Sequence, residues 1–358
     1  MDIKQRFELI KQVGEEIVTE EELKLLLEKK KAPIAYDGFE PSGTNIHIAQ
    51  GLLRAINVNK MTKAGCKFKM LVADWHAWAN NKMGGNLEHI QKVGKYLIEV
   101  WKVCDMDLKK VEFVWVNDLV KDDNYWKLVM QIARNSTVNR IIRCGQIMGR
   151  KENEVLQASQ IFYPCMQCAD IFYLNADVTQ LGMDQRKVNV LAREIGPKSG
   201  FWKPVVVSHH MLMGLSEPPK TSNAIEKAIK MKMSKSDPDN AIFMTDNEGE
   251  IKRKIKKAYC PEGVVEENPI LEYNKHIIFE KFKTIKIERP EKFGGNSEFS
   301  SYEELEKTFL QKKLHPMDLK QSTAEYLNKL IDPVRKKLEK DKTAQKLAKE
   351  IKSFEVTR

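Results

Sequence analysis

The segment from residue 36 to residue 51, YDGFEPSGTNIHIAQG, decides the fold that this sequence predicts. It begins at the end of an apolar stretch typical of a buried strand, and its centre, EPSGTN, is rich in turn-forming residues. A helix is predicted to follow over residues 46–61, with His47 in its first turn, where free backbone N–H groups attract anions. Ala49 and Gly51 are small enough to leave room for a flat ligand. The segment therefore predicts a strand, a turn and a helix that together form an anion site.

Strands and helices continue to alternate as far as about residue 207. Strands are predicted at residues 32–39, 68–73, 111–116, 177–180 and 204–207, and helices at residues 2–31, 46–61, 87–104, 122–149, 155–174 and 185–194. Thr19 and Glu22 have the spacing of a capping box inside the first helical stretch. Such alternation gives a parallel sheet with helices on both faces, and ligands bind at the carboxyl ends of its strands. The predicted fold class is α/β, a Rossmann-like doubly wound parallel sheet.

The character of the chain changes after about residue 240. Thr245 and Glu248 are predicted to cap a very basic helix that carries Lys252–Lys257, and further amphipathic helices are predicted at residues 301–313 and 318–348. We therefore predict a nucleotide-binding domain over residues 1–231, a loop and linker over 232–245, and a smaller helical domain over 246–358. Whether the basic helix binds a polyanion or is an ordinary solvated face is open at this point.

Composition narrows the class of protein. The chain has 358 residues, of which 42% are hydrophobic and 31% charged, as in a globular protein of two domains. It contains no apolar run near the ~20 residues of a membrane span, and its charged N-terminus lacks the apolar core of a signal peptide. We expect a cytoplasmic protein with no membrane association. The net charge of +10 favours a polyanionic partner without identifying it.

The six cysteines include one C-x-x-C pair, Cys165 and Cys168. No second pair completes a zinc site at the usual spacing, so no metal site is predicted. Free buried thiols are the expected state of all six.

A second motif lies at residues 232–236, KMSKS, directly before a turn of sequence DPDN. Its two lysines suit a phosphate that binds and leaves, although a solvated linker would look the same in isolation. The first segment, GFEPSG followed by HIAQ, resembles the HIGH region of class I aminoacyl-tRNA synthetases, and residues 232–236 match the second signature of that class in every letter. The classical G-x-G-x-x-G and P-loop motifs are absent, which disfavours a P-loop ATPase.

The substrate amino acid is indicated by a helix that carries Tyr163, Gln167 and Asp170 on one face, at positions i, i+4 and i+7. Taken alone, such a face could simply be solvated. Together with KKAYCP at 256–261, RPEKFGG at 289–295 and HPMDLK at 315–320, it is similar to tyrosyl-tRNA synthetases of the archaeal and eukaryotic type, over nearly the whole chain. A buried carboxylate suits the hydroxyl of tyrosine, because phenylalanine would leave it without a donor.

The resemblance implies a role for each matching residue. Tyrosine would be bound by Tyr36 and Asp170 at its hydroxyl, by Tyr163, Gln167 and Gln185 at its ammonium and carboxylate, and by Asp74 and His76 at the pocket floor. ATP would be bound by Gly38, Glu40, His47, Ala49, Gly182, Asp184, Met211, Leu212, Lys232 and Lys235. Catalysis would rest on His47, Gln50, Lys232, Ser234 and Lys235, and the anticodon would meet His315, Pro316, Met317 and Asp318.

The implied reaction is the ligation of tyrosine to its tRNA through a tyrosyl-adenylate, with ATP as substrate, Mg²⁺ accompanying it and no prosthetic group. Residues 118–155 would form the connecting insertion through which the family makes homodimers. Ala49-Gln50 stands where the best-known form of the first motif has Gly-His, so the role of Gln50 is the least defined. Two alternatives are a tryptophan ligase on the same fold and a synthetase-like protein that binds RNA without chemistry.

Overall fold

The computed structural model describes residues 1–43, 45–148, 156–221, 227, 231–233 and 237–354. The chain divides into two compact units, the first made of Met1–Thr44, Asn57–Met211 and Lys346–Arg358, and the second of Asn45–Ile56 and Leu212–Gln345. Their bounds differ from those of the predicted domains, since the second unit already begins at Leu212 and includes a short segment near the first motif.

A twisted mixed sheet forms the centre of the first unit. Its strands are β1 Gly14–Val18, β2 Ile34–Phe39, β3 Lys67–Val72, β4 Val111–Trp115, β5 Val178–Thr179 and β6 Val205–His209. They are ordered β1-β6-β5-β2-β3-β4, and all neighbouring pairs are parallel except β1 and β6. The predicted α/β fold with a doubly wound parallel sheet is therefore confirmed.

The chain reverses its direction of progress through the sheet between β2 and β5. From β2 it runs outward to β3 and β4, and β5 then pairs on the other side of β2. Gln180 N–H donates to the Tyr36 carbonyl oxygen at 2.7 Å, which joins the carboxyl end of β5 to the middle of β2. In open α/β sheets this reversal leaves a crevice for ligands beyond the strand ends. Tyr36, one of the residues predicted to bind the substrate tyrosine, lies in β2.

Helices surround the sheet and make up most of the second unit. The described α-helices are α1 Ile3–Lys11, α2 Glu20–Lys29, α3 Arg54–Lys63, α4 Asp74–Ala79, α5 Leu87–Val103, α6 Val116–Leu119, α7 Asp123–Arg134, α8 Val138–Cys144, α9 Ala158–Tyr173, α10 Arg186–Ile195, α11 Glu248–Lys257, α12 Pro269–Tyr273, α13 Phe279–Lys281, α14 Tyr302–Leu310, α15 Pro316–Leu338 and α16 Lys342–Ile351. Two π-helical segments, Ala49–Leu53 and Asn274–Ile278, precede α3 and α13. None of the described helices is long and apolar enough to cross a membrane.

The prediction of one helical stretch over residues 2–31 is wrong, because β1 separates α1 from α2. β1 pairs antiparallel with β6, and Ile17 lies opposite Val207. The capping box inside this stretch is confirmed: Thr19 Oγ1 accepts from Glu22 N–H at 3.2 Å, and Thr19 N–H donates to Glu22 Oε2 at 3.3 Å. The predicted helix at 122–149 is likewise divided, into α7, α8 and a 3₁₀ turn at Gly145–Met148.

The second unit is largely helical, as predicted, but its details differ. Strands β7 Ile285–Ile287 and β8 Ser297–Phe299 form a small antiparallel pair that the sequence did not predict. The predicted cap of the basic helix is wrong: Asn247 is the N-cap of α11, and its Oδ1 accepts from Glu250 N–H at 2.9 Å. Asn247 and Glu250 have the same three-residue spacing as Thr245 and Glu248, so the sequence contained two overlapping capping patterns.

All six cysteines are buried free thiols, as expected. Burial raises the pKa of Cys66 to about 12 and that of Cys165 to about 11. Because the thiolate is the reactive form of cysteine, these side chains are chemically inert parts of the core.

Candidate active site

Helix α9 brings the three polar residues predicted from its sequence to one buried face. Tyr163, Gln167 and Asp170 are all buried within this helix. The i, i+4 and i+7 spacing predicted this shared face, and the structure confirms that it points into the fold rather than into solvent. Tyr36 in β2 is also buried, with 1% of its surface exposed.

Asp170 is the most confined ionisable group of this cluster, with no exposed surface. Its Oδ1 accepts a hydrogen bond from the Tyr125 hydroxyl at 2.8 Å. Its Oδ2 lies 3.0 Å from His76 Nε2, but the ring is not aligned for a hydrogen bond, and Oδ2 accepts none from the described residues. The carboxylate therefore has one oxygen already bonded and one oxygen available to a ligand.

The two phenols beside Asp170 remain protonated at ordinary pH. Burial and, second, the charge of Asp170 raise the pKa of Tyr36 well above its usual range, and the same two causes act on Tyr125. Both hydroxyls are therefore hydrogen-bond donors, never anions, in this cluster. A phenol from the substrate would complete the set of groups around the carboxylate.

The opposite end of the cluster offers amide groups. Gln167 Nε2 donates to Gln185 Oε1 at 3.0 Å, and Gln185 Nε2 donates to the Ile147 carbonyl oxygen at 3.0 Å. Gln167 Oε1 is buried and accepts no hydrogen bond from the described part of the chain. The Tyr163 ring packs edge-on against His76 with the ring centres 4.9 Å apart. Gln167 Oε1 is therefore an open acceptor on the helix that also carries Tyr163.

Asp74 is held by three donors and fixes the helix that carries His76. Its Oδ1 accepts from Trp75 N–H at 3.0 Å and from Asn117 N–H at 3.1 Å, and its Oδ2 accepts from Gln91 Nε2 at 2.9 Å. Burial raises the pKa of Asp74, and these hydrogen bonds oppose that rise. The bonds join α4 to α5 and to the start of α6, so the orientation of His76 is set by the surrounding helices.

Gly182 follows β5 at the point where the predicted ribose residues lie. A Cβ atom at this position would be 2.4 Å from Met211 Sδ and 2.7 Å from Asp184 Oδ1. Glycine is therefore required for these two side chains to approach so closely. The predicted nucleotide residues Gly182, Asp184 and Met211 are thus in mutual proximity, while Leu212 is buried at the start of the second unit.

Gly38 lies in β2, and Glu40 directly follows the last residue of this strand. Glu40 Oε1 accepts from Asn80 Nδ2 at 3.0 Å, and Lys82 Nζ is 4.0 Å from Glu40 Oε2. Asn80 is itself buried and accepts from Gln160 Nε2 at 3.3 Å. This hydrogen-bonded chain fixes the Glu40 carboxylate at the end of the strand.

In the second unit, His47 lies before the helix and not in its first turn, which corrects the prediction. It forms an antiparallel bridge with Phe243, and Ile48 N–H, one of the predicted free donors, donates to the Ile242 carbonyl oxygen at 2.9 Å. Gly51 was predicted to be small in order to leave room for a ligand. The structure gives another reason, because a Cβ atom at this position would be 2.6 Å from Met244 Sδ. The strand-like segment 242–244 therefore sets the position of His47.

Lys232 is paired in the same unit with the segment that follows Leu212. It forms an antiparallel bridge with Met213, whose N–H donates to Glu272 Oε2 at 2.9 Å and whose carbonyl oxygen accepts from the Tyr273 hydroxyl at 2.8 Å. Helix α12 thus fixes the backbone at Met213, with which Lys232 pairs. The other predicted loop residues, Ser234 and Lys235, lie outside the described residues.

The basic helix α11 is not uniformly solvated. Lys252, Lys256 and Lys257 are exposed, but Lys254 is buried and pairs with Asp246 at 2.7 Å. Lys254 therefore cannot contact a polyanion, which corrects the prediction for one member of the run. At the start of α15, His315 is the N-cap, and its Nδ1 accepts from Met317 N–H at 3.1 Å. Pro316 and Asp318 occupy the first turn of this helix.

Comparison with known proteins places this geometry in a family. The profile of the family described as tRNA synthetases class I (W and Y) matches residues 28–332. Tyrosine–tRNA ligase 1, cytoplasmic, from Arabidopsis thaliana is 52% identical over 363 residues, which cover 100% of this chain and 90% of that protein. This chain belongs to the class I tRNA synthetases, among the tyrosine–tRNA ligases of archaeal and eukaryotic type.

Solved structures agree with this membership. Tyrosyl-tRNA synthetase from Pyrococcus horikoshii, complexed with L-tyrosine, has a TM-score of 0.89 and 40% identity, covering 98% of this chain and 100% of that one. The Leishmania major synthetase in complex with tyrosinol has a TM-score of 0.89 and 43% identity over 99% of this chain. This synthetase spans 52% of the Leishmania chain.

Sequence reasoning missed Tyr125, which contacts the carboxylate of this synthetase directly. It lies in α7, within the stretch assigned to the connecting insertion, and is 45 residues away from Asp170 in the chain. No local spacing links the two residues. The only available signal was a tyrosine on the apolar face of a helix, which ordinarily indicates core packing.

Proposed function

We propose that this tyrosine–tRNA ligase recognises tyrosine through Asp170 and Tyr36 and activates it with ATP before transfer to tRNA. The observation that carries the proposal is the buried Asp170 carboxylate, whose Oδ2 accepts no hydrogen bond from the described residues. The hydroxyl of tyrosine supplies the missing donor. Tyr36 lies beside it as a permanently protonated phenol and completes the recognition of that hydroxyl.

The pocket distinguishes tyrosine from phenylalanine because phenylalanine leaves the Asp170 carboxylate without a hydrogen-bond donor. When phenylalanine occupies the pocket, the buried carboxylate oxygen has lost its water without gaining a donor, which costs about 1–3 kcal/mol and more for a charged group. Tryptophan brings an indole N–H but no phenol, so Tyr36 and Asp170 have no common partner. Gln167 Oε1, the second open acceptor, suits the substrate ammonium, with Tyr163 and Gln185 around it.

In the first step the tyrosine carboxylate attacks the α-phosphorus of ATP in line. A new P–O bond forms, the bond to the β-phosphate oxygen breaks, and pyrophosphate leaves with that electron pair. Positioning and charge stabilisation supply most of the rate, since no covalent enzyme intermediate forms. We assign His47 and Gln50 to the phosphate oxygens and Lys232 and Lys235 to the departing pyrophosphate, with Ser234 in the same loop.

ATP is held, in this proposal, by residues in or after β2, β5 and β6 and by Ala49. Gly38 and Glu40 lie along the adenylate, Ala49 near the base, Gly182 and Asp184 at the ribose, and the backbone at Met211 and Leu212 beside adenine. Mg²⁺ enters with ATP as part of the substrate. Among the described residues there is no group of three or more His, Cys, Asp or Glu side chains that could hold a metal ion, so phosphates and water are its main ligands.

The second step transfers tyrosine from the adenylate to a terminal ribose hydroxyl of the tRNA. We assign nucleotide binding to residues 1–231, a loop and linker to 232–245 and anticodon binding to 246–358. Asp318 would accept from a guanine edge, with His315, Pro316 and Met317 beside it. The exposed lysines of α11 would contact the tRNA backbone and make binding salt-dependent.

Two further assignments complete the proposal. Residues 118–155 would form the interface of a homodimer, and Met130 and Val138 in this stretch are 55% and 63% exposed, which is more than usual for apolar side chains. The protein would act in the cytoplasm. Sedimentation of the purified protein tests the first assignment, and a monomer at micromolar concentration would contradict it.

The decisive experiment is amino-acid-dependent ATP–pyrophosphate exchange. The unaltered protein should exchange with tyrosine far faster than with phenylalanine or tryptophan, and Asp170→Asn should lose most of the preference for tyrosine. Exchange with tryptophan would favour the tryptophan ligase, and absence of exchange with any amino acid would favour an RNA-binding protein without chemistry. Full tyrosine selectivity in Asp170→Asn would refute the pocket assignment.

A further inference from the structure

We infer that Tyr125 is a positioning residue for tyrosine recognition: its hydroxyl fixes the Asp170 carboxylate so that Oδ2 is presented to the substrate hydroxyl. The inference rests on the proposed function, because it concerns how the same pocket reads a phenol. It assigns a role in specificity to a residue of α7 that does not itself touch the substrate.

The hydrogen bond between Tyr125 and Asp170 is enclosed by protein. Tyr125 and Asp170 both have no exposed surface, and the 2.8 Å hydrogen bond between them is buried. The Tyr125 ring packs edge-on against Trp126 and Tyr173, with ring centres 5.8 and 5.5 Å apart. Because these rings restrict its motion, the hydroxyl has one direction in which to donate. The hydrogen bond therefore acts as a fixed constraint on the rotation of the carboxylate.

The constraint determines which oxygen is open. Oδ1 is occupied by Tyr125, whereas Oδ2 accepts no hydrogen bond from the described residues and lies on the side of His76. A carboxylate that could rotate freely would distribute its acceptors among several directions and would fit one ligand hydroxyl less well. Fixing one oxygen preorganises the other, which lowers the entropy lost when the substrate binds.

The Tyr125 hydroxyl stays available as a donor to Asp170. Burial and, second, the charge of Asp170 raise the pKa of Tyr125 well above its usual range, so Tyr125 keeps its own proton. The hydrogen bond to Oδ1 is therefore a lasting contact.

The test is the isosteric change Tyr125→Phe, which removes one oxygen atom. Loss of a hydrogen bond to a charged group typically weakens a binding constant by about 10- to 100-fold. We expect the KM for tyrosine in pyrophosphate exchange to rise by about tenfold or more. We expect kcat, the KM for ATP and the slow exchange with phenylalanine to stay unchanged. The matched control is Tyr173→Phe, because the Tyr173 hydroxyl bonds to Asp122 and its ring packs against the same Tyr125 ring.

A double-mutant cycle separates positioning from packing. If Tyr125 acts through Asp170, then Tyr125→Phe should change the tyrosine dissociation constant in the natural background but hardly at all in an Asp170→Asn background, as measured by equilibrium dialysis. Equal effects in both backgrounds would overturn the inference. So would a parallel rise in the KM values for tyrosine and ATP together with a lower unfolding midpoint, since that would assign Tyr125 to packing.

The result also distinguishes this inference from the proposed function. Failure of the unaltered protein to exchange with tyrosine would refute the proposed function itself. A fully active protein in which Tyr125→Phe and Tyr173→Phe behave alike would refute the positioning role alone.

Discussion

Replacing Lys254 with methionine tests how strongly the second unit depends on a lysine inside its basic helix. The side chain of Lys254 is 3% exposed, and its Nζ bonds to Asp246 Oδ2 at 2.7 Å and to the Ala241 carbonyl oxygen at 2.9 Å. It also lies 4.6 Å from the centre of the Phe243 ring. Methionine keeps the length of the apolar stem but removes the charge, so the change isolates the polar contacts.

The expected loss of stability in Lys254→Met depends on the contacts that Asp246 keeps. Removing one partner of a buried ion pair costs about 3–5 kcal/mol, because the other charge stays without compensation. Here Asp246 Oδ2 keeps a 2.9 Å hydrogen bond from Phe243 N–H, and its side chain is 12% exposed, so partial compensation survives. We therefore expect a loss near the lower limit, about 3 kcal/mol in the free energy of unfolding.

Lys254→Met should also lower the catalytic rate, because Lys254 bonds to Ala241 in the segment that pairs with His47. Urea unfolding measures stability, and pyrophosphate exchange at a temperature where the variant is folded measures activity. The matched control is Lys256→Met on the exposed face of the same helix, which should change stability by no more than about 0.5 kcal/mol. If Lys254→Met proved as stable and as active as Lys256→Met, the structural role of the buried lysine would be refuted.

Three other predictions concern the remaining parts of the site. Gly182→Ala should displace Asp184 and raise the KM for ATP by about tenfold, since overpacking typically costs about 1–3 kcal/mol, with the KM for tyrosine unchanged; an unchanged KM for ATP would contradict this. Gln50→Ala should slow pyrophosphate exchange with little effect on tyrosine affinity, and an unchanged rate would refute a role in phosphate contact. The six thiols should react with Ellman's reagent at pH 8 only after denaturation, because burial raises the pKa of Cys66 to about 12 and that of Cys165 to about 11; rapid reaction of the folded protein would contradict the burial.

Local sequence signals predicted the parallel strands and most helices but not the sheet edge. The residues of β1, GEEIV, lie between two helices and are too few to show a strand period. What makes them a strand is pairing with β6, about 190 residues farther along the chain, and no local pattern reports such a partner. The capping error at Thr245 has another cause, since two local capping patterns overlapped and the helix begins after Asn247.

The same distinction applies to the side chains of the site. Tyr163, Gln167 and Asp170 were predictable because helical spacing places them together, whereas Tyr125 reaches Asp170 only through the packing of α7 on α9. The burial of Lys254 could have been predicted from its neighbours. Ile251 lies three residues before it and Ile255 one residue after it, and this apolar spacing places Lys254 on the buried face of α11. The run of positive charges concealed that apolar stripe.

The two units divide the work in a way that activity measurements can separate. Asp170, which we propose to recognise the side chain of tyrosine, lies in the first unit, whereas His47 and Lys232 lie in the second. In the second unit, backbone bridges hold His47 against Phe243 and Lys232 against Met213. Since neither pairing involves a residue that we propose to contact the phenol, changes that loosen them should lower the rate of adenylate formation without altering the choice of amino acid. Lys254→Met should therefore keep the ratio of tyrosine to phenylalanine exchange while its total exchange rate falls.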